Sequence, residues 1–393
     1  MFLGIWVSML IVLIYSFVTT LLSLHDIRFL RESRANRQHV GDIFEERFEL
    51  TNQSNIKKIW IEVTDESKIG REINSRIISN LEPNRVRIHN SSMMLMQRGV
   101  FTLGPTKITS GDTLGLFESI KVFKAAKKLV VYPYIFQINK LSLHSSSEQG
   151  GQQLHTYTTQ TTPQANGIRE YVPGDPLNRV HWPLTVKHGR LMVKEFDEDT
   201  QPNAWIILDA CEGRHIRNEN IVFARDNRFL FTKRESAELK FDRDSFEYAI
   251  AIAATLVHYY IMHNFSVGFT SVGQQIVNIQ PEKGKRQLNK ILEKLAVMDD
   301  DGDIKISSVF NKIKANIPRG STVILITGET MADMEKTIHT SALKKMKLIP
   351  ILINTDSFKV PKEVTLRERS PKQSDQHLEL FFGDNIRDKL QEM

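Results

Sequence analysis

Two stretches of this chain carry side chains that could do chemistry. The first is residues 167–196, GIREYVPGDPLNRVHWPLTVKHGRLMVKEF. There a Pro-Gly-Asp-Pro turn and Trp182 sit in a dense charged series: Arg169, Glu170, Asp175, Arg179, Lys187, Arg190, Lys194 and Glu195. A loop that only connects elements has no need of so many large, specific groups; ordered loops of this kind position or bind something. The competing reading is a solvated, basic hairpin that happens to hold a Trp. The second stretch is Asp209-Ala210-Cys211-Glu212-Gly213-Arg214-His215. Asp209 ends an apolar strand, and open parallel sheets bind ligands beyond the carboxyl ends of their strands. Asp209 with Glu212 would serve a metal-dependent hydrolase, carboxylate oxygens being suited to a hard cation. A Cys–His nucleophile would use Cys211 and His215, yet no orienting Asn or Asp accompanies them in recognisable form. Phosphate-loop, dinucleotide-binding, zinc-protease and serine-hydrolase motifs are all absent from the sequence.

The elements that must position these groups follow from the apolar period. From residue 203 onward strands and helices alternate: strands at 204–208, 267–269, 276–279, 323–327 and 348–353, helices at 244–263, 284–297 and 330–346. Such alternation predicts a mostly parallel sheet covered by helices on both faces. Residues 213–243, rich in Arg and Asn, read as a surface insertion into this region, 197–393. His258 and His263 on the long helix read as satisfied core histidines. The run 299–303, DDDGD, reads as a solvated turn because the spacing of a calcium loop is missing. Upstream, residues 40–140 alternate apolar and polar positions, with turn residues at strand spacing, which predicts a small antiparallel β-sandwich. Within it the sequence RGVFTLGP followed by SGDTLGLF reads as turn chemistry. Residues 141–166, rich in Ser, Thr and Gln, have linker composition.

Bulk properties set the class. The chain has 393 residues, 41% hydrophobic and 25% charged, which is room for two or three domains. A net charge of +6 spread along this length falls short of a nucleic-acid-binding signature. The single cysteine, Cys211, excludes an intramolecular disulfide and a Cys-based zinc cage. Residues 1–24 contain no charged side chain. As a helix they would span ~36 Å, enough to cross a hydrocarbon core of ~30 Å. Arg28, Arg31, Arg34 and Arg37 follow in a basic juxtamembrane segment, 25–39. That bias predicts a single-pass anchor with the large domains in the cytoplasm. A cleaved signal peptide is the competitor, against which stand the missing basic n-region and the long apolar run.

The stretch 167–196 resembles the signature of the bacterial family called domain of unknown function 58. The residues that carry the likeness are Gly167, Ile168, Arg169, Glu170, Tyr171, Pro173, Gly174, Asp175, Arg179, Trp182, Leu191, Val193, Lys194, Glu195 and Phe196. Pro183 departs from it, standing where the family commonly has a basic residue. The RGVFTLGP and SGDTLGLF segments also match a recurring part of the family. Relatives often begin with two spans, and this chain has length for one. The resemblance implies a Rossmann-like, von Willebrand factor A-like α/β domain at the C-terminal end and a MoxR-type AAA+ ATPase as partner. In A-type domains the first strand leads into an Asp-x-Ser-x-Ser motif that suits Mg²⁺. Here both serines are replaced, by Cys211 and Gly213, and Gly328 stands where an Asp is often found, which leaves Asp209 with Glu212 or Glu329 as distant help and makes a poor magnesium cage. The expected architecture is therefore α+β and multidomain, with anchor, sandwich and A-type domain in that order. The expected function is a non-catalytic scaffold without cofactor, metal or nucleic acid. Arg169, Glu170, Tyr171, Pro173, Gly174, Asp175, Arg179 and Trp182 would form its docking surface. Two rivals stand beside it: the Asp209–Glu212 hydrolase, and a basic module binding anionic lipid through the Arg run and residues 213–243.

Overall fold

The computed structural model describes residues 2–67, 69, 74–124, 127–141, 167–172, 177, 180–195, 203–217, 244–274, 276–318, 321–334, 346–359 and 377–392. It is a mixed α/β structure. The chain opens with α1, Phe2–Ser23, one helix long and apolar enough by length and composition to cross a membrane. After a tight turn at Asp26 (φ 55°) it enters β1, Ile27–Ser33, followed by β2, Arg37–His39. Eight further strands follow: β3 (Ile43–Asn52), β4 (Lys58–Asp65), β5 (Asn74–Leu81), β6 (Val86–Met94), β7 (Gly99–Leu103), β8 (Thr106–Gly111), β9 (Glu118–Phe123) and β10 (Lys127–Tyr132). They form three sheets, ordered β1-β3-β6, β2-β10-β7 and β5-β4-β8-β9. Alternate residues of the first and third sheets share one core, with Ile27, Leu50, Ile61, Leu81 and Ile108 buried together.

Residues 25–39 differ from expectation. They supply two strands, because Ile27, Phe29 and Arg31 occupy the same face of β1 and the arginine is accommodated there by carboxylates. Arg31, 12% exposed, makes a forked ion pair with Glu46 at 2.7 Å through Nε and Nη2 and reaches Asp65 at 2.8 Å. Buried charge persists where it is paired and hydrogen-bonded in this way. Arg34 pairs with Glu45 at 3.1 Å and Arg37 with Glu293 at 2.7 Å, while Arg28 is exposed.

The C-terminal region begins with a small unit: β11 (Gly167–Glu170), α2 (Trp182–His188) and β12 (Met192–Glu195). Then come β13 (Asn203–Asp209), α3 (Ser245–Met262), β14 (Ser266–Val272), β15 (Ile276–Glu282), α4 (Lys285–Ala296), α5 (Ile306–Ile313), β16 (Thr322–Thr327) and β17 (Lys347–Ile353). The helix α6 (Asp356–Lys359), the strand β18 (Leu378–Leu380) and the helix α7 (Ile386–Glu392) complete the chain. The six-stranded sheet runs β15-β14-β13-β16-β17-β18, parallel except for β15 at one edge. β13 shows why it is central: Ala204, Ile206 and Leu208 enter the core under α3 and α4, while Trp205 and Ile207 enter the core under α5. A strand buried on both faces needs this continuous apolar run.

The two regions meet along α3. The amide of Phe136 donates to Thr255 Oγ1 (3.0 Å), and that of Leu141 donates to the Tyr259 hydroxyl (3.3 Å). Arg98 pairs with Glu247 and donates to the Met298 carbonyl at 2.7 Å. On α3 itself, His258 is half-buried and His263 is exposed, so neither is the fully buried histidine expected; His263 lies past the last helical turn, with Nδ1 2.8 Å from the Tyr259 carbonyl. Of the helix expected at 330–346, residues 331–334 are helical and 335–345 lie outside the described residues.

Candidate functional site

The described residues of the stretch 167–196 include a short antiparallel pair. β11 and β12 run in register Gly167↔Glu195 to Glu170↔Met192, and Val180 bridges to Val193, so that both valines are buried. Tyr171 extends the ladder, its amide donating to Leu191 (2.8 Å). Glu170 pairs with Arg190 at 2.7 Å on an exposed surface, where such pairs are worth little. Of the proposed docking residues, Arg169 lies on β11, and its side chain is outside the described part. Pro173, Gly174, Asp175 and Arg179 lie outside the described residues.

α2 begins at Trp182 because three local signals coincide. His181 caps it, its Nδ1 accepting from the Leu184 amide at 3.2 Å. Pro183 follows in the first turn, where a missing N–H costs nothing; that accounts for its departure from the family's basic residue as local helix chemistry. Gly189 ends the helix with φ 66°. The Met192 amide then donates to Thr185 Oγ1 (3.0 Å), tying the helix to β12. The helix buries none of its residues. Trp182 is 60% exposed and Val186 82% exposed, with Val172 and Leu177 exposed nearby in sequence. His181 and Val186 escaped the sequence reading. The signal for the first was a polar residue directly before Trp-Pro, a start position for a helix.

The second place is the carboxyl edge of the large sheet. Asp209, at the end of β13, is 2% exposed and both its oxygens are engaged. Oδ2 accepts from Thr327 Oγ1 at 2.6 Å and Oδ1 from the Cys211 amide at 3.1 Å. Burial raises its pKa, against which the Thr327 and Cys211 hydrogen bonds and the charge of Arg214 act. Glu212, its proposed partner, is exposed. The carboxylate near Asp209 is instead Glu329, which is buried, has its pKa raised by burial and by Asp209, and lies 3.5 Å from Arg214. His215 donates Nε2–H to the Asp209 carbonyl at 3.1 Å and meets Ser245 Oγ at 3.4 Å. Burial lowers its pKa to about 4, which makes it a weak base, and its Nε2–H is committed to the Asp209 carbonyl. The Cys211 thiol is pushed up by burial and by Asp209, the opposite of what a nucleophilic thiolate requires.

These side chains do not fit the magnesium ion of an A-type domain. The aspartate oxygens are taken by protein donors, a buried protonated thiol and Gly213 replace the two serines, and Gly328 brings no carboxylate. Among the described residues no group of three or more His, Cys, Asp or Glu side chains is placed to hold a metal.

The edge departs from expectation in two places. Of the stretch 213–243 read as a surface insertion, residues 218–243 lie outside the described residues, but His215 and Arg217 are built into the edge: His215 is buried, and Arg217 pairs with Asp299 at 2.9 Å and Asp300 at 2.5 Å. The DDDGD run is likewise part of the structure, because the Gly302 amide donates to the Ala210 carbonyl and the Glu212 amide to the Gly302 carbonyl, both at 2.8 Å.

A family model described as a protein of unknown function, DUF58, matches residues 167–391, more than half of the chain and both places just described. The chain belongs to the DUF58 family. The DUF58 region thus includes the exposed hairpin and the buried sheet edge together. The chain is also similar to the uncharacterized protein YeaD of Bacillus subtilis (strain 168), 23% identical over 244 residues, covering 60% of this chain and 52% of that protein. The chain therefore spans about half the length of this curated relative. Among solved structures, the CARDB domain of a Pyrococcus furiosus protein in complex with di-metal ions is 14% identical over 27% of this chain and 92% of that one, TM-score 0.21. The C-terminal domain of wzt is 10% identical over 28% of this chain and 75% of that one, TM-score 0.22.

Proposed function

We propose that this chain is a membrane-anchored, non-catalytic interaction protein. It sits at the inner face of the cell membrane, crosses it once through α1, and offers the 167–196 hairpin to a protein partner. The DUF58 likeness implies a MoxR-type AAA+ ATPase as that partner. The observation that carries the reading is that α2 buries none of its residues while presenting Trp182 and Val186 to solvent. Exposed apolar groups gathered in one place mark interaction sites, and Trp is among the residues that dominate binding energy. The anchor is supported by the uncharged length of α1. The mostly parallel sheet with helices on both faces, and Asp209 at its carboxyl edge, support a von Willebrand factor A-like reading of the C-terminal region.

The test uses the full chain in detergent and a purified MoxR-type ATPase. Immobilised wild type captures the ATPase, and Val186→Asp, fully folded by melting, loses most of the capture. Equal capture by wild type and variant defeats the docking role. Magnesium serves as the second arm. Millimolar Mg²⁺ leaves the melting temperature of wild type unchanged, since only ligands that bind the folded state raise stability. A saturable stabilisation absent from Asp209→Asn would overturn the non-catalytic reading in favour of the hydrolase.

A further inference from the structure

The turn between β8 and β9, residues 112–117, reads DTLGLF. Loops run over the surface and are normally polar, yet this one holds two leucines and a phenylalanine. Its backbone is organised from inside by Asp112, whose Oδ1 accepts from the Phe117 amide (2.8 Å) and Oδ2 from the Leu114 amide (2.9 Å). Gly115, at φ 72°, takes the left-handed step at the tip. Asp112 thus faces inward, while Leu114 (58% exposed) and Leu116 (52% exposed) face out, with Thr113 between Asp112 and Leu114 also exposed.

The loop is fastened to α1. Ser16 Oγ donates to Asp112 Oδ2, Thr20 Oγ1 donates to the Phe117 carbonyl at 3.4 Å, and the Phe17 and Phe117 rings meet edge-on at 5.7 Å. Ser16 and Thr20 are buried by these contacts. Leu116 also lines a groove with Ile5, Met9, Val12 and Leu13 of α1. The helix is held at its end as well: Lys58 Nζ donates to the Leu22 carbonyl at 2.7 Å, and Leu24 enters the core shared by β1, β3, β4, β5 and β8. No free linker separates helix from strands.

We propose that residues 113–117 enter the lipid bilayer beside α1, so that Leu114 and Leu116 contact acyl chains and fix the attitude of the strands to the membrane. This rests on the reading of α1 as a membrane anchor. At 1.5 Å per residue Ser16 lies ~10 Å inside the carboxyl end of the helix. A helix of this length matched to a ~30 Å hydrocarbon core carries the loop past the headgroups, the depth of ~5–10 Å at which interfacial segments lie. Lipid is the occupant that the position dictates, because the groove beside Leu116 is lined by α1 residues that face hydrocarbon when the helix spans. At this interfacial depth backbone groups without a protein partner can still meet headgroups and water. Asp112, bonded to Ser16 and to the Leu114 and Phe117 amides, lowers the cost of the turn's entry.

The experiment uses the full chain carrying Cys211→Ala, with single cysteines Leu114→Cys, Leu116→Cys, Leu10→Cys and Ile43→Cys labelled with an environment-sensitive fluorophore. Leu10 lies on the exposed surface of α1; Ile43 is exposed at the end of β3 far from Asn52, which pairs with Ile27 beside α1. Each protein is reconstituted in phosphatidylcholine–phosphatidylglycerol vesicles and quenched by nitroxide lipid from the membrane or by iodide from water. Labels at 114 and 116 are quenched by nitroxide several-fold more than the label at 43 and are shielded from iodide as the label at 10 is. If 114 and 116 behave like 43 while 10 stays lipid-quenched, the loop proposal is wrong and the anchor stands. If 10 is itself open to iodide, the anchor reading fails and the loop proposal with it. Shielding of 114 and 116 from both quenchers means that protein, such as a second copy, covers the loop, and overturns the proposal.

Discussion

The large parallel sheet and the 167–196 hairpin lie within one family match, yet they treat their side chains in opposite ways. β14 is buried along its whole length and α3 along most of it. Trp205 sits at 1% exposure against Gly268, where an added Cβ would come within 2.9 Å of the indole ring. In the hairpin Trp182 is largely exposed and, among the described residues, Val180 and Val193 are the buried ones. Two tryptophans of one chain therefore report on two functions of sequence: one specifies how elements pack, the other is presented. A largely exposed Trp among specific turn and charge chemistry suits the proposed docking role, in which what it meets lies outside the chain.

The comparison breaks first, and with the largest effect, at Trp205. Truncating a fully buried aromatic costs ~3–5 kcal/mol. Trp205→Ala in the full chain is expected to lower the melting temperature by many degrees and to lose partner capture through unfolding. A melting temperature near that of wild type would mean that the sheet repacks freely and that the contrast between the two regions is false.

Trp182→Ala sharpens the contrast. Because the side chain is exposed, stability is expected to change by less than ~1 kcal/mol, as for ordinary surface substitutions. Partner affinity is expected to fall by ~2 kcal/mol or more if Trp182 is a binding hot spot. Melting and capture are measured on the same preparation. Melting as low as that of Trp205→Ala, with capture by the folded fraction unimpaired, would make the hairpin architecture and leave it no docking role.

The same contrast explains what was legible in sequence. β13, β14 and α3 announce themselves because long apolar runs have one stable destination, a sheet or helix buried on two faces. The hairpin was legible as a motif, through its turn and charges, but its exposure was not, since a Trp between valines reads equally as core or surface. β1 was hidden for an electrostatic reason. Its alternation Ile27-Phe29-Arg31 carries a charge in an apolar slot, and the partners, Glu46 and Asp65, lie on two other strands. Arginines spaced by three therefore looked like a free basic run. The engagement of Arg217 with Asp299 and Asp300 was hidden in the same way, because the partners are distant in sequence and each run alone resembles solvated charge. α5 was missed because eight residues are too few for a periodic pattern to stand out.

The smallest expected effect concerns pH and the sheet edge. His215 is buried, with its folded-state pKa lowered to about 4 from 6.5, so below pH 6.5 the unfolded chain takes up a proton that the folded chain does not. Stability from this group is thus lost as pH falls from 6.5 and fully lost below 4. Linkage puts the loss at ~1 kcal/mol between pH 7.5 and 5.5. Asp244, raised to about 6 by burial, acts in the opposite direction: on acidification its folded form gains the proton first and the fold is stabilised. Asp209 and Glu329, also raised, have the same sign as Asp244. Wild type therefore shows a shallow net slope, in which His215 offsets the carboxylates. His215→Gln removes one side of that balance while its amide can still donate to the Asp209 carbonyl. Whatever its stability at pH 7.5, the variant is expected to improve relative to wild type by ~1 kcal/mol on going to pH 5.5, as read from melting or denaturant midpoints at each pH. Parallel pH profiles for the two proteins would show that His215 is protonated in the folded chain, and the sheet edge would then be wet and titratable where the hairpin comparison requires it to be packed.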